Sequence, residues 1–156
     1  MITSIQRANK VFEYFEPLII TLVEGMPNHQ LLFAFCKNLI VEIASNDDLN
    51  TETDMHFSYL FTASKAKDSE HSQFIDAVYL LSSQELKILI QYFHYRDEVT
   101  NYWVELPRRE VFLAMKENEF FHPQEGYRLS PEQYYQIVFP YFVPTEGFVK
   151  IWESIS

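Results

Sequence analysis

The sequence predicts a mainly α-helical protein of six or seven helices with two to four short strands, and α+β is the alternative fold class. Apolar residues recur at spacings of three and four along several stretches, which is the period of an amphipathic helix. Only three glycines occur, and helices tolerate that scarcity better than sheets with many tight turns. The length of 156 residues fits one domain, so residues 1–156 are predicted to form a single globular domain.

Two helices are predicted near the N-terminus. The first runs from about Ser4 to Glu24, and Pro17 should kink or split it because proline has no N–H to donate. Its apolar stripe consists of Ile5, Ala8, Phe12, Phe15, Ile19 and Leu22. The second, from His29 to Ser45, is apolar over most of its circumference, which predicts a central buried helix. Its most buried residues should include Leu32, Phe35, Cys36, Leu39 and Ile43.

The middle of the chain contains the ambiguous elements. Asn46 to Asp54 is predicted to be a loop, whereas Met55 to Ala63 alternates like a strand but also fits a short helix. Ser64 to Ser72 should be a loop, and Phe74 to Leu81 a short helix or strand. Ser82 with Glu85 matches a capping box, which predicts a helix with Leu86, Leu89, Ile90 and Phe93 on one face.

The last third is predicted to contain three helices after a second ambiguous stretch. Val99 to Leu106 fits either an extended segment or a helix, and Pro107 suits the start of a helix that ends near Asn118. Ser130 and Pro131 supply a cap and a first helical residue for a helix that must stop before Pro140. A final apolar stripe at helical spacing is formed by Phe148, Val149, Trp152 and Ile155.

The charge balance limits the partners that the protein is expected to bind. There are 22 acidic and 12 basic side chains, which gives a net charge of −10. Such a surface repels phosphate backbones and anionic lipid headgroups, so we expect neither a nucleic-acid nor a membrane partner. A basic protein is the natural complement, although negative charge could equally serve only to keep an aromatic-rich chain soluble.

The cysteine count and the N-terminus predict a cytoplasmic location. Cys36 is the single cysteine and lies in an apolar run, so it should be a small buried hydrophobe rather than half of a disulfide. A chain without a disulfide framework fits a reducing compartment. Residues 1–4 lack the features of a secretory signal, and no apolar run reaches the roughly 20 residues needed to span a bilayer.

No motif for catalysis, metal binding or cofactor binding is found in the sequence. The glycines are too far apart for a phosphate-binding loop, and no two of the five histidines stand three or four residues apart. Oxygen-bearing residues alternate along Asn46 to Asp54 as in a calcium loop. That pattern fails, however, at Thr51, where glycine is needed, and at Phe57, where a bidentate glutamate is needed. We therefore predict no catalytic residue, no metal and no cofactor.

Two segments are candidates for partner binding. The loop after the second helix carries Asp47, Asp48, Glu52 and Asp54 without any basic residue. The segment from Tyr92 to Trp103 is rich in the residue types that dominate binding hot spots. Its predicted contact residues are Tyr95, Asp97, Glu98, Tyr102 and Trp103. The competing interpretation is that about half of these aromatics belong to the core.

These observations lead to one functional expectation and two alternatives. The expectation is a non-catalytic, acidic protein-binding module that neutralises a basic partner, such as an immunity protein or antitoxin that inhibits a nuclease toxin. One alternative is an enzyme whose site brings a carboxylate together with His94 or His122. The other is a structural homo-oligomer that buries its surplus aromatics against itself.

Overall fold

A computed structural model describes residues 2–155 and confirms the mainly α fold class. The helices found among these residues are α1 (Ser4–Val23), α2 (His29–Ala44), α3 (Phe57–Ser64), α4 (His71–Leu81), α5 (Arg108–Glu117), α6 (Pro131–Ile137) and α7 (Glu146–Ser154), with a 3₁₀ turn at Asp68–Glu70. The strands are β1 (Leu89–Arg96), β2 (Trp103–Leu106), β3 (Phe120–Phe121), β4 (Arg128–Leu129) and β5 (Val138–Pro144). No helix in the described part of the chain is long and apolar enough to cross a membrane.

The chain divides into two compact units. The first unit contains the residues up to Ile90 together with those from Val143 onward, and the second runs from Gln91 to Phe142. Strands β1 and β5 each continue from one unit into the other, and the larger sheet has the order β2-β1-β5. The prediction of a single domain over residues 1–156 is not tested by this division and stays a prediction.

Helix α1 forms largely where the sequence predicts it. A capping box at Thr3 and Gln6 opens it, and its buried face includes Phe12, Phe15 and Ile19. The prediction for Ile5 was wrong, because its side chain lies outside the stripe and is 56% exposed. Pro17 does not split the helix. Pro17 and Glu13 are both exposed, so water can solvate the Glu13 carbonyl that lacks its usual N–H donor.

Helix α2 has the predicted position and the predicted buried residues. All five residues expected in the core are buried, and Leu39 and Cys36 are fully inaccessible to solvent. Helix α7 packs in the same unit, where the indole N–H of Trp152 donates a hydrogen bond of 2.8 Å to the carbonyl of Ala44. The apolar circumference of α2 therefore does indicate a central helix.

The ambiguous stretch after the acidic residues is helical. Phe57–Ser64 forms α3, and the ring of Phe61 lies 5.2 Å from that of Phe74 in an edge-to-face contact. Because Phe74 belongs to α4, this contact ties the two short helices together. The loop predicted for Ser64–Ser72 is shorter than expected, because a 3₁₀ turn occupies Asp68–Glu70 and α4 starts at His71.

The helix predicted from the capping box at Ser82 does not form. The Ser82 hydroxyl donates to the Val78 carbonyl at 3.1 Å, so this residue ends α4 instead of opening a new helix. Ser83 caps a single turn that stops at Lys87, whose φ of +49° lies in the left-handed region. Strand β1 follows, and its burial alternates from Leu89 to Tyr92, after which Phe93, His94 and Tyr95 are all buried.

The second unit is built around an antiparallel hairpin and its own core. Within β1 and β2, Phe93 pairs with Leu106 and Tyr95 with Val104. These four side chains belong to one hydrophobic cluster or pack against it. The cluster also contains Val111, Phe120, Leu129, Tyr134 and Val138, contributed by the elements that follow β2. Of the two alternatives for Val99–Leu106, the extended one is present over the second half of the stretch, as β2.

Candidate functional site

The four carboxylates predicted for partner binding lie together on the acidic loop, defined here as residues 46–54. Asp47, Asp48, Glu52 and Asp54 are all exposed, and the loop connects α2 to α3 in the first unit. Leu49 points into the core with 4% exposure, which anchors the loop at its centre. The buried Leu49 side chain therefore fixes the position of the loop, while the four carboxylates remain at the surface.

Hydrogen bonds within the acidic loop fix its backbone. The Asn46 side chain accepts from the Asp48 N–H at 3.0 Å, and the Asn50 side chain accepts from the Glu52 N–H at 2.7 Å. The Thr53 hydroxyl accepts from the Asn50 N–H at 3.1 Å. Such turns are a common use of asparagine and threonine side chains. The residues that alternate as in a calcium loop thus stabilise turns, and the described residues include no group of metal ligands.

The carboxylates of this loop form no ion pair within residues 2–155. No lysine or arginine occurs between Lys37 and Lys65 in the sequence. Within residues 2–155, a single ion pair forms, between Lys150 and Glu146 at 3.1 Å, and it belongs to α7. Asp47 accepts a hydrogen bond of 2.6 Å from the Ser4 hydroxyl, which is neutral. The loop therefore presents four exposed carboxylates that are not ion-paired.

A cleft of about 160 Å³ lies next to the acidic loop in the first unit. Its walls include the apolar side chains of Ile43, Leu49 and Met55, while Asp54 and Tyr59 contribute polar groups. Burial raises the pKa of the Tyr59 phenol, and the nearby Glu42 carboxylate raises it further. The phenol is therefore neutral at physiological pH and can donate a hydrogen bond beside two carboxylates.

The second predicted segment forms a rigid turn at the end of the β1–β2 hairpin. One Asp97 carboxylate oxygen accepts from the N–H groups of Val99 at 2.8 Å and Thr100 at 3.2 Å. The other oxygen accepts from the Gln124 side chain at 3.4 Å. Asn101 completes the turn with a φ of +64°. Asp97 was predicted to contact a partner, but its carboxylate is occupied in holding the turn.

Exposure separates the remaining predicted residues of this segment. Tyr102 is 74% exposed, Trp103 is 48% exposed, and Glu98 is also at the surface. Val99, which was not predicted, is 87% exposed and adds an apolar side chain to the turn. Tyr95 is only 8% exposed and belongs to the core of the second unit. Tyr95 is therefore corrected from a contact residue to a core residue, as the competing interpretation of these aromatics expected.

Trp103 is held by a stack of rings on the face of the sheet opposite to the one where Phe93 and Tyr95 join the core. We call this the second face. The rings of Trp103 and His94 are parallel within 23°, with centroids 4.1 Å apart. His94 stacks in turn on Tyr141 at 4.3 Å, and Tyr92 lies 5.8 Å from the same tyrosine. The Arg96 guanidinium lies 5.9 Å from the centre of the Trp103 ring. These contacts give the Trp103 side chain a fixed orientation, which is a property of rigid binding anchors.

The two predicted segments belong to different units. The acidic loop lies in the first unit, and the hairpin turn, residues 97–102, lies in the second. His122, considered in the enzyme alternative, has a structural role in the second unit. Its Nδ1 atom accepts from the N–H groups of Gln124 at 3.2 Å and Glu125 at 3.1 Å, so it fixes the loop between β3 and β4.

Comparison with known proteins gives no further guide to the function. No protein-family model, no curated protein and no solved structure matches this chain. The functional argument therefore depends on the charges, exposures and contacts described above.

Proposed function

We propose that this protein is a non-catalytic binding module that neutralises a basic protein partner. The observation that carries the proposal is the acidic loop, whose four exposed carboxylates project from a hydrogen-bonded backbone and form no ion pair within residues 2–155. Opposite charge on a partner would be attracted to this surface, and electrostatic attraction accelerates the encounter of two proteins. A pre-formed loop also loses little conformational entropy when it binds.

Charge distribution supports the assignment of the encounter surface to the first unit. This unit carries fourteen acidic and seven basic side chains, whereas the second carries eight acidic and five basic ones. Most of the excess negative charge therefore belongs to the unit that contains the acidic loop. The cleft beside the loop offers an apolar floor for the stem of a lysine or arginine whose charged end reaches Asp54.

The hairpin turn is the proposed anchor surface. Tyr102 in the turn and Trp103, the first residue of β2, present large apolar areas with polar ends. Asp97 fixes the backbone of the turn by accepting from the Val99 N–H. Side chains of this kind lengthen the lifetime of a complex when they are buried against a partner. In this scheme, charge sets the association rate and the aromatic anchors set the dissociation rate.

The most specific form of this proposal is a cytoplasmic immunity protein or antitoxin that inhibits a nuclease toxin. A nuclease must be basic where it contacts phosphates, so an acidic protein can cover that surface by mimicking the negative charge of the nucleic acid. Inhibition by occlusion requires no chemistry from the inhibitor. An inhibitor of this type would suppress nuclease activity in proportion to the amount bound, and suppression would be complete at one inhibitor per nuclease.

Binding kinetics with the partner captured from the native organism would test the proposal. Reversal of the four loop carboxylates to lysine should lower the association rate about tenfold or more at low salt, with little change at high salt. The matched control reverses four exposed acidic residues elsewhere in the first unit, which changes the net charge equally. These are Glu13, Asp68, Asp76 and Glu85. Equal slowing in both variants, or no slowing in the loop variant, would refute the role of the loop.

The anchor surface needs a separate variant. Tyr102→Ala should raise the dissociation rate about tenfold or more, since truncating a hot-spot residue costs at least about 2 kcal/mol. Tyr102 is largely exposed, so this change should leave folding intact. Tyr14→Ala, at a tyrosine that is 63% exposed in α1, is the matched control and should leave dissociation unchanged. An unaltered dissociation rate for Tyr102→Ala would exclude the hairpin turn from the interface.

A further inference from the structure

A groove of about 420 Å³ lies in the first unit, at the end of the helical hairpin where α1 connects to α2. Its walls are Ile20, Val23 and Glu24 on the α1 side and His29, Gln30 and Phe33 on the α2 side. The volume is within the range of roughly 300–1,000 Å³ that is typical of ligand pockets, so the groove can hold more than one side chain. No other element among residues 2–155 lines it, and we call it the hairpin groove.

The floor of the hairpin groove is apolar and held in place. Val23 is buried, whereas Ile20 is 50% exposed. The Phe33 ring makes an edge-to-face contact with the Phe12 ring, with centroids 5.7 Å apart, which fixes its orientation. The ammonium group of Lys37, one turn further along α2, lies 5.5 Å from the centre of the same Phe12 ring. A floor that is fixed in this way loses little conformational entropy when a partner covers it.

The rest of the first unit packs on another side of α1. Phe15 precedes Ile20 by five residues, which places it about 140° away around the helix. Its ring stacks on Phe148 of α7, with centroids 5.7 Å apart. Helix α7 therefore covers α1 on a side away from the hairpin groove. Helices commonly pack into the groove between two others, so a further helix fits against α1 and α2 here.

Acidic side chains flank the apolar floor. Glu16, Ile20 and Glu24 are spaced by four residues, so they form one row along α1. No lysine or arginine occurs between Lys10 and Lys37, the stretch from which this end of the hairpin is built. Neither Glu16 nor Glu24 forms an ion pair within the described part of the chain. The occupant that complements this groove therefore has an apolar centre with positive charges on either side.

We propose that the hairpin groove binds an amphipathic helix of the basic partner. Glu16 and Glu24 are eight residues apart, which is about 12 Å along α1. Apolar side chains at positions i, i+4 and i+7 of a helix span about 10 Å, so such a stripe fits on the floor between cations that meet the two glutamates. Both walls are helices whose backbone groups are largely paired within each helix. An occupant must therefore satisfy its own backbone hydrogen bonds, as a helix does and an extended segment does not.

This inference rests on the proposed function, because the helix would belong to the basic partner. A synthetic helix nevertheless tests it without that partner. The acidic loop contributes no residue to the lining of the hairpin groove. The loop could therefore control the association rate of the partner even if the groove binds no helix, and the groove could bind a helix even if the loop has no role. The two proposals can fail separately.

The test is an NMR titration of the intact protein with a blocked peptide of about 15 residues, built from leucine, lysine and alanine. The leucines lie on one helical face, the lysines flank them, and alanine fills the other positions because it has the highest helix propensity. We expect saturable amide shifts at Ile20, Val23 and Phe33, with a Kd on the order of 100 μM.

Two control peptides separate the helical stripe from its charge. A shuffled peptide, whose leucines share no face, should bind at least about tenfold more weakly, and so should the same stripe flanked by glutamates. Equal binding of the shuffled peptide would overturn the proposal, because charge alone would then explain the affinity. Shifts confined to the acidic loop would also overturn it, because the peptide would then bind elsewhere.

A first pair of variants tests the apolar floor. Ile20→Ala should weaken the binding of the leucine–lysine peptide about three- to tenfold, because it removes apolar area from the groove. Ile20 is half-exposed, so the change should leave the fold intact. Ile5→Ala, at an isoleucine that is 56% exposed on the same helix but outside the groove, is the matched control and should have no effect.

A second pair of variants tests the charges. Glu16→Gln combined with Glu24→Gln should weaken binding about three- to tenfold at low salt. Asp68→Asn combined with Asp76→Asn removes the same charge from exposed positions elsewhere in the first unit and should leave the Kd unchanged. An affinity that is unaltered both by the glutamate changes and by Ile20→Ala, with the fold confirmed by the amide spectrum, would refute the site.

Sedimentation and native mass spectrometry of the protein alone test the other possible occupants. We expect a monomer that retains no small molecule. A dimer that dissociates in the Ile20→Asp variant would overturn the proposal, because a second copy of the chain would then cover the groove. A small apolar molecule that the protein retains and that this variant loses would overturn it in the same way.

Discussion

Replacement of Leu39 by alanine tests whether α2 is the central helix of the first unit. The side chain is fully inaccessible to solvent, and it packs in the middle of a helix whose neighbouring core residues are also buried. The substitution removes three carbon atoms, and burial of each contributes roughly 0.8 kcal/mol, so loss of the transfer term costs about 2.4 kcal/mol. The cavity that remains adds about 24 cal/mol per Å³. We therefore expect a total loss of about 2–5 kcal/mol.

Urea denaturation followed by circular dichroism measures this loss. The midpoint should fall while the dependence of the unfolding free energy on urea stays unchanged, because the surface exposed on unfolding is almost the same. Leu113→Ala provides the matched control, since that leucine is 49% exposed on α5 and the same change there should cost less than about 1 kcal/mol. A loss below about 0.5 kcal/mol for Leu39→Ala would show that α2 is peripheral.

Three further predictions follow from individual contacts. Burial raises the pKa of the Cys36 thiol to about 12. An aromatic disulfide reagent at pH 8 should therefore label this thiol only after the protein unfolds, and rapid labelling of the native protein would contradict the prediction. Its contribution to stability should be present below pH 9 and be lost as the pH rises towards 12, which urea unfolding at several pH values would measure. Trp152→Phe removes the donor to the buried Ala44 carbonyl and should cost about 1–3 kcal/mol in the same urea assay, and an unchanged midpoint would refute the role of this hydrogen bond. Addition of EDTA, calcium or zinc should leave the melting temperature unchanged, since the described residues contain no cluster of metal ligands; a shift of several degrees would show a site that they do not reveal.

Elements with a clear period and clear ends were predicted correctly from the sequence. Helix α2 is apolar on almost every side and α6 begins with a serine cap followed by proline, so local signals were sufficient for both. The stretch at Met55–Ala63 had two compatible periods. The helix forms because it allows Phe57 and Phe61 to pack on Phe74 of α4, a contact that local sequence does not show.

The candidate site was predictable only where it is local. The acidic loop is continuous in sequence, so its four exposed carboxylates could be identified directly. The ring stack joins His94 to Tyr141. These residues are far apart in the sequence, and only the folded chain brings them together. Their residue types carry no periodic or motif signal that would have indicated the contact.

One choice of period explains why Tyr95 was misassigned. The segment beginning at Leu86 was predicted to be helical because its apolar residues fit spacings of three and four, so the side chains near its end had no assigned face. In a strand, successive side chains point to opposite faces. Phe93 and Tyr95 then share the face that packs on the core, whereas Tyr92, His94 and Arg96 share the other face. The same alternation puts Trp103, which pairs with Arg96, on the second face, where its ring stacks on His94. A strand period applied to this segment is therefore sufficient to separate the core tyrosine from the exposed tryptophan.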